Sequence, residues 1–269
     1  MIQLERHEHI LEHLNTHRFI GAEQARALLG ASPATIRRDF DELAARGLAQ
    51  RTRGGLRRLD HVEDGSLPYA FRAGRYADEK ARIARHAMGL LKPGDTVFVD
   101  GGTTTHHIAR FVPDFPLTLI TNSLRLAAAL GERAAAAGNL RVLLSGGRLH
   151  PEAGLLVGPQ AARMLAEYRA DWAFIAPGGL DAGGLYNANE DVAAVERVMM
   201  THAGVTVVLA DPGKFGRRAF CRVAGLEAAQ RVIGVAGALE SALRGALETA
   251  GVAIDLIAAG AGQAPENGH

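Results

Sequence analysis

The sequence predicts an α/β protein: an N-terminal winged helix-turn-helix followed by a mainly parallel α/β sheet domain. Two observations predict it. Up to Leu59, apolar residues recur at helical spacing and run into a short basic segment around Gly54-Gly55. From Ala77 onward, short, uniformly apolar runs alternate with helical patterns, as parallel strands covered on both faces require. A length of 269 residues holds both parts.

In chain order, Leu4, Ile10, Leu11 and Leu14 share a first helical face. Phe19-Ile20 follow, then a short helix, Ala22 to Leu29, with Ala25, Leu28 and Leu29 expected inward. Gly30-Ala31 make a turn. Ser32 is placed to cap a third helix and Pro33 to open it, where its missing N–H costs nothing. Ile36, Phe40 and Leu43 hold that helix to the core, Gly47 closes it, and Thr35, Arg37, Arg38 and Asp41 point outward. Two short strands are expected around Gly54-Gly55. Leu43 to Leu59 carries Arg46, Arg51, Arg53, Arg57 and Arg58 and no acidic residue, a nucleic-acid signal. This first domain spans 1–59. Residues 60–76 read as an irregular linker, with Leu67, Tyr69 and Phe71 as its packing residues.

The second domain, 77–260, opens with a helix from Asp78 to Leu91. Strands are expected at Thr96–Val99, Leu117–Thr121, Arg141–Leu144, Trp172–Ala176, Val205–Ala210 and Val232–Val235. Helices are expected at about Thr104–Phe111, Leu124–Ala137, Pro159–Tyr168, Asp191–His202 and Leu239–Thr249. The small and polar residues 261–269 read as a disordered tail.

Composition narrows the functional classes. Hydrophobic residues make up 48% and charged residues 22%, which excludes disorder throughout. No apolar run approaches the roughly 18 residues of a membrane span. The opening MIQLERHEHILEH is charged where a signal peptide has its apolar core. Cys221 is the single cysteine, so no internal disulfide or Cys-rich metal site is expected, and the expected compartment is the cytoplasm. The net charge of +1 is uninformative; all of the 30 basic residues but Lys80, Lys92 and Lys214 are Arg.

Five strands end in polar or glycine-rich turns: Asp100-Gly101-Gly102-Thr103-Thr104, Thr121-Asn122-Ser123, Ser145-Gly146-Gly147, Pro177-Gly178-Gly179-Leu180-Asp181 and Asp211-Pro212-Gly213-Lys214. Ligands of open α/β sheets bind outside the carboxyl ends of the strands. Glycines, hydroxyls and a helix start after the first strand suit a phosphate at Gly101, Gly102, Thr103 and Thr104. Lys214 would add a full charge, and Asp100, Asn122 and Asp211 would add hydrogen-bonding groups. The turn is neither a Walker loop nor a GxGxxG fingerprint. His9, His13 and His17 share a helical face, which reads as solvated rather than metal-binding. His106 and His107 adjoin the threonine loop, Trp172 reads as core, and Cys221 as an inert thiol.

The segment Ala31-Ser32-Pro33-Ala34-Thr35-Ile36-Arg37-Arg38-Asp39-Phe40 resembles the recognition-helix signature of DeoR-type bacterial transcriptional regulators. The resemblance continues through Arg53-Gly54-Gly55, Glu79-Lys80, Asp100 with Gly102-Thr103-Thr104, Thr121-Asn122-Ser123, Ser145-Gly146-Gly147 and Asp211 to Gly216. It implies a DNA-binding winged helix and a sensor domain similar to sugar-phosphate isomerases and CoA transferases, binding a phosphorylated sugar or related metabolite. Among departures from the family pattern, Arg53 stands where His is usual and Pro212-Gly213 where Ser-Ser is usual. The implied protein is a repressor of a sugar-catabolism operon, working as a homo-oligomer on double-stranded operator DNA, with no cofactor, metal or catalytic residue. Its DNA-binding residues would be Ser32, Thr35, Arg37, Arg38, Arg51, Arg53 and Arg57. Its effector site would draw on Asp100, Gly101, Gly102, Thr103, Thr104, Thr121, Asn122, Ser123, Gly146, Gly147, Gly178, Gly179, Asp181, Asp211 and Lys214. The alternative is a sugar-phosphate isomerase-like enzyme with an accessory N-terminal helical module. A recognition helix and a basic wing favour the regulator.

Overall fold

The computed structural model describes residues 2–46, 48–58 and 69–258. Gly47, Leu59, Leu67, the tail 261–269 and the side chains of Leu4 and Phe71 lie outside the described residues. The chain divides into two compact units, Met1–Phe71 and Arg72–His269.

The first unit runs α1 (Gln3–His17), β1 (Phe19–Gly21), α2 (Ala22–Leu29), α3 (Pro33–Ala45), β2 (Gln50–Arg51) and β3 (Gly55–Arg57). Gly30 ends α2 at φ 59°, a left-handed turn that glycine makes without steric cost. Ser32 Oγ then accepts the Thr35 amide at 3.2 Å, and Pro33 opens α3 as expected. Ile10, Leu14, Ile20, Ile36, Phe40, Leu43 and Leu56 close one core. Leu28, expected inward, is 51% exposed. On so short a helix only the i, i+4 pair Ala25 and Leu29 reaches the core, and Leu28 falls off that stripe. The strand Phe19–Gly21 was not foreseen; it pairs antiparallel with β3, giving the order β1-β3-β2. Gly55 is required there, because a side chain would meet the Ile20 carbonyl oxygen at 2.0 Å.

The second unit has a helix where the linker was expected, α4 (Tyr69–Gly74), which straddles the division between the units in sequence, then α5 (Ala77–Met88). There follow β4 (Thr96–Val99), α6 (Thr103–His106), β5 (Leu117–Thr121), α7 (Leu124–Ala137) and β6 (Leu140–Leu144). The hairpin β7 (Arg148–His150) and β8 (Leu155–Val157) leads to α8 (Pro159–Ala166) and β9 (Ala170–Ile175). Next come β10 (Gly179–Asp181), β11 (Gly184–Asn187), α9 (Glu190–Thr201) and β12 (Ala203–Leu209). The chain closes with β13 (Cys221–Ala224), β14 (Arg231–Val235), α10 (Ser241–Thr249) and β15 (Ala253–Ile257). The expected helix Thr104–Phe111 is instead the single turn α6 continued by a 3-10 turn over His107–Arg110.

Seven of these strands form one sheet, all neighbours parallel, in the order β15-β14-β12-β9-β4-β5-β6. Alternate residues supply two cores. Val97, Val99 and Leu119 face α5 and α7, while Phe98, Ile120 and Ile175 face α8, α9 and α10. Trp172 stands at the rim of this core, half-buried, and donates its indole N–H to Asp95 at 3.0 Å. The seventh strand, β15, and the small sheet β10-β11-β13 were absent from the sequence reading.

Candidate functional site

In the first unit, α2 and α3 with the turn at Gly30 form a helix-turn-helix, and β2-β3 form the wing. Ile36, Phe40 and Leu43 are buried, which leaves Arg37 and Arg38 exposed side by side on the first half of α3. Ser32 caps the helix, its hydroxyl 2.8 Å from that of half-buried Thr35. Arg53 and Arg57 are exposed on the wing. Arg51 is placed differently: it pairs with Asp41 at 2.9 Å, donates to the carbonyls of Thr52 and Gly55, and lies over the Phe40 ring. It braces the wing against α3. A further brace went unread in the sequence. Asp39, 1% exposed, accepts from Arg6 at 2.7 and 3.0 Å and lies 3.2 Å from His7, tying α3 to α1. The Asp39 hydrogen bond holds the Arg6 guanidinium above its ordinary range.

In the second unit, the five polar strand ends follow β12, β9, β4, β5 and β6, which are consecutive in the sheet. The chain lays β5 and β6 on one side of β4, then crosses to lay β9 and later strands on the other. The order therefore reverses between β4 and β9, the switch point where open sheets leave a crevice. Asp100 spans that point. It accepts the Gly101 amide at 2.6 Å and, from the end of β9, the Ala176 amide at 3.4 Å. Beside it lies Glu196 of α9, wholly buried, whose Oε1 accepts from Asn187 at 2.9 Å and whose Oε2 has no hydrogen-bond partner among the described residues. Burial pushes the Asp100 carboxyl up to about 6, and burial beside Asp100 pushes Glu196 well above the carboxylate range. Two adjacent buried carboxyls repel each other as anions, so they titrate as a pair rather than singly.

The glycine amides expected to face a ligand are engaged internally, Gly101 with Asp100 and Gly102 with Thr105 Oγ1 at 2.8 Å. Thr103 and Thr104 are buried, and Thr104 Oγ1 lies 3.5 Å from Asp211 Oδ2. Asp211 also accepts the Gly213 amide at 3.0 Å, and Lys80 stands 4.0 Å away. Lys214, 6% exposed, reaches the Gly178 carbonyl at 3.4 Å. Lys80 is not among the residues that the sequence points to, although its Glu79-Lys80 motif is visible there; Glu196 gives no signal beyond an acidic residue on an apolar helix face. Asn122 is fully buried, and its Oδ1 accepts no hydrogen bond among the described residues.

Other expected residues serve the scaffold. Thr121 Oγ1 donates to the Val99 carbonyl at 2.7 Å, and Ser123 caps α7 through the Leu126 amide. Gly146 and Gly147, both at positive φ, turn the chain into the β7-β8 hairpin. Gly178 and Gly179 pack closely against the Tyr186 and Arg217 carbonyls. Burial works to raise Asp181, but hydrogen bonds from Arg218, the Gly183 amide and Tyr186, with the Arg218 charge, together outweigh it and hold its carboxyl below the usual range. Burial lowers His106 and His107 from their ordinary values. Cys221 is half-buried and accepts from Arg197 at 3.3 Å; His13 and His17 stack at 4.2 Å.

Known proteins agree with both units. Residues 6–62 match the DeoR-like helix-turn-helix domain, and 75–234 match the DeoR C terminal sensor domain. The HTH-type transcriptional regulator GlpR of Haloferax volcanii is 36% identical over 256 residues, covering 94% of this chain and 98% of its own length. The HTH-type transcriptional regulator UlaR of Shigella sonnei is 32% identical over 219 residues, covering 81% and 85%. Ribose 5-phosphate isomerase A of Methanocaldococcus jannaschii aligns with 52% of this chain and 55% of its own at 17% identity, but the TM-score of 0.38 is too low to bear on function. With relatives named as regulators rather than enzymes, and both family domains present in order, the chain belongs to the DeoR family of transcriptional regulators.

Proposed function

We propose that the chain represses a sugar-catabolism operon and is controlled by a phosphorylated sugar bound at the carboxyl ends of β12, β9, β4, β5 and β6. The observation that carries this reading is the reversal of strand order between β4 and β9, with polar strand ends on both sides of it. Around it stand two buried ammonium groups, Lys80 and Lys214, the hydroxyls of Thr103 and Thr104, and the Asn122 carbonyl oxygen. Cations suit a phosphate, and Asn122 Oδ1 and Asp211 suit sugar hydroxyls. With Gly101 and Gly102 engaged internally, the phosphate is assigned to Thr103, Thr104 and Lys214 rather than to the glycine amides. DNA contact falls to Ser32, Thr35, Arg37 and Arg38 in the major groove and to Arg53 and Arg57 on phosphates, with Arg51 a brace. One small winged helix makes too few contacts for operator specificity, so the working form is a homo-oligomer in the cytoplasm. The test is a thermal-shift screen of pentose and hexose phosphates, followed by operator binding with and without each hit. A sugar binding as tightly as its phosphate would overturn the ligand class.

A further inference from the structure

The Lys80 ammonium meets groups from two segments of the second unit. The side chain projects from α5 and is 2% exposed. It donates to the main-chain carbonyls of Arg72 and Arg75, the latter at 2.6 Å. It stands 4.0 Å from Asp211 Oδ2, in the loop that follows β12. Arg72 lies in the last turn of α4 and Arg75 just past its end. These are carbonyls that a helix terminus leaves over, and a cation there opposes the negative end of the helix dipole.

The sequence position of α4 gives the contact its meaning. The helix begins at Tyr69, within the first unit, and ends at Gly74, within the second, so the chain leaves the DNA-binding unit through it. The Asp211 loop meets the same segment a second time. A side chain at Gly213 would touch the Tyr76 ring at 3.0 Å and approach the Arg75 guanidinium at 3.6 Å. Asp211 is itself held by the Gly213 amide and approached by Thr104. One buried lysine thus joins the strand-end loop to the end of the helix that links the units.

We propose that Lys80 is the positioning residue through which occupancy of the strand-end site reaches the DNA-binding unit. This rests on the reading of that site as one for an anionic effector. A phosphate dianion arriving beside Lys80 attracts the ammonium more strongly than two neutral carbonyls do. The carbonyls of Arg72 and Arg75 then lose their donor and the end of α4 loosens. By linkage, loosening α4 in any other way changes effector affinity in the same proportion.

Hydrogen exchange of the full-length protein, read at the amides of residues 72–76, tests this. The probes are D-ribose 5-phosphate, D-glucose 6-phosphate and inorganic phosphate. In the wild type, a bound probe speeds exchange across 72–76. In Lys80→Met the segment exchanges fast without probe, the probe binds roughly 10- to 150-fold more weakly, and at probe concentrations that saturate the variant the ratio of operator affinities with and without it falls from the usual roughly 5–150 to near 1. Unchanged exchange on binding, or full coupling in Lys80→Met, overturns the proposal. If no probe binds the wild type, the effector reading fails, and Lys80 is judged without ligand. Asp211→Asn frees the ammonium for the carbonyls, so exchange at 72–76 slows, and it does not slow when Lys80→Met is also present. Asp211→Asn exchanging like wild type overturns the proposal, also where Lys80→Met does not fold.

Discussion

Thr103 and Lys214 follow different strand ends, those of β4 and β12, and both are nearly buried. A donor to a charged group at such a site is worth about 1.5–3 kcal/mol, roughly 10- to 150-fold in affinity. Thr103→Ala and Lys214→Ala should each weaken effector binding by that factor and leave effector-free operator binding near wild type, as calorimetry and gel shift would show. Glu196 makes a different prediction. It and Asp100 are both raised above their ordinary values of 4.5 and 3.8 by burial. The folded values are raised, so the pair's contribution is full below about pH 4 and is lost as pH rises through about 6 and beyond. The neighbouring charges are Lys214 near Glu196 and Arg72 near Asp100. Glu196→Gln removes one of the two titrating carboxyls, so its melting temperature should gain on wild type as pH rises; parallel pH profiles would exclude this contribution. At this scale the sequence was legible for residue type but not for commitment. Asp100 and Asp181 were visible as polar strand-end groups, yet nothing local reveals that Glu196 and Arg218, distant in sequence, stand beside them.

Among the elements, α3 was the most legible, because Ser32, Pro33 and the Ile36, Phe40, Leu43 stripe are local signals. Replacing Arg37 and Arg38 together by Ala should lower operator affinity and reduce the slope of log affinity against log salt by up to about 2, if both grip phosphate. Unchanged affinity in fluorescence anisotropy would remove α3 from the major groove. Asp39 faces the other way. Asp39→Ala leaves Arg6 and His7 facing an apolar core edge and should cost the first unit about 3 kcal/mol in chemical denaturation. The strand Phe19–Gly21 was illegible for a plain reason: three residues carry no period, and β1 exists only because Ile20 and Leu56 pair across the wing. The hairpin β7-β8 hid similarly behind the turn residues Gly146, Gly147 and Gly154, and β15 behind Asp255, which pairs with His86 and Arg231 at 2.9 and 2.6 Å.

For the whole molecule, the parallel sheet was legible from alternating apolar runs, while the position of β4 at its middle was not, since strand order is a tertiary fact. Catalysis is also decided at this scale. An aldose–ketose isomerisation needs a carboxylate with access to a carbon-bound proton. Here Asp100 is engaged by Gly101 and Ala176, and Asp211 by Gly213 and Lys80. Purified protein should therefore bind a sugar phosphate without converting it; turnover abolished by Asp211→Asn would contradict the regulator.

The reversal of strand order at β4 sets a timetable for biosynthesis. The winged helix is complete in sequence by Arg58, and its contacts are local. The crevice cannot exist until Ala176 has reached Asp100 and Lys214 has emerged, because β9 and β12 are made long after β4. At translation rates of roughly 5–20 residues per second, that delay is on the order of ten to thirty seconds. Each nascent chain thus spends an interval on the ribosome with its DNA-reading half finished and its means of control still unmade.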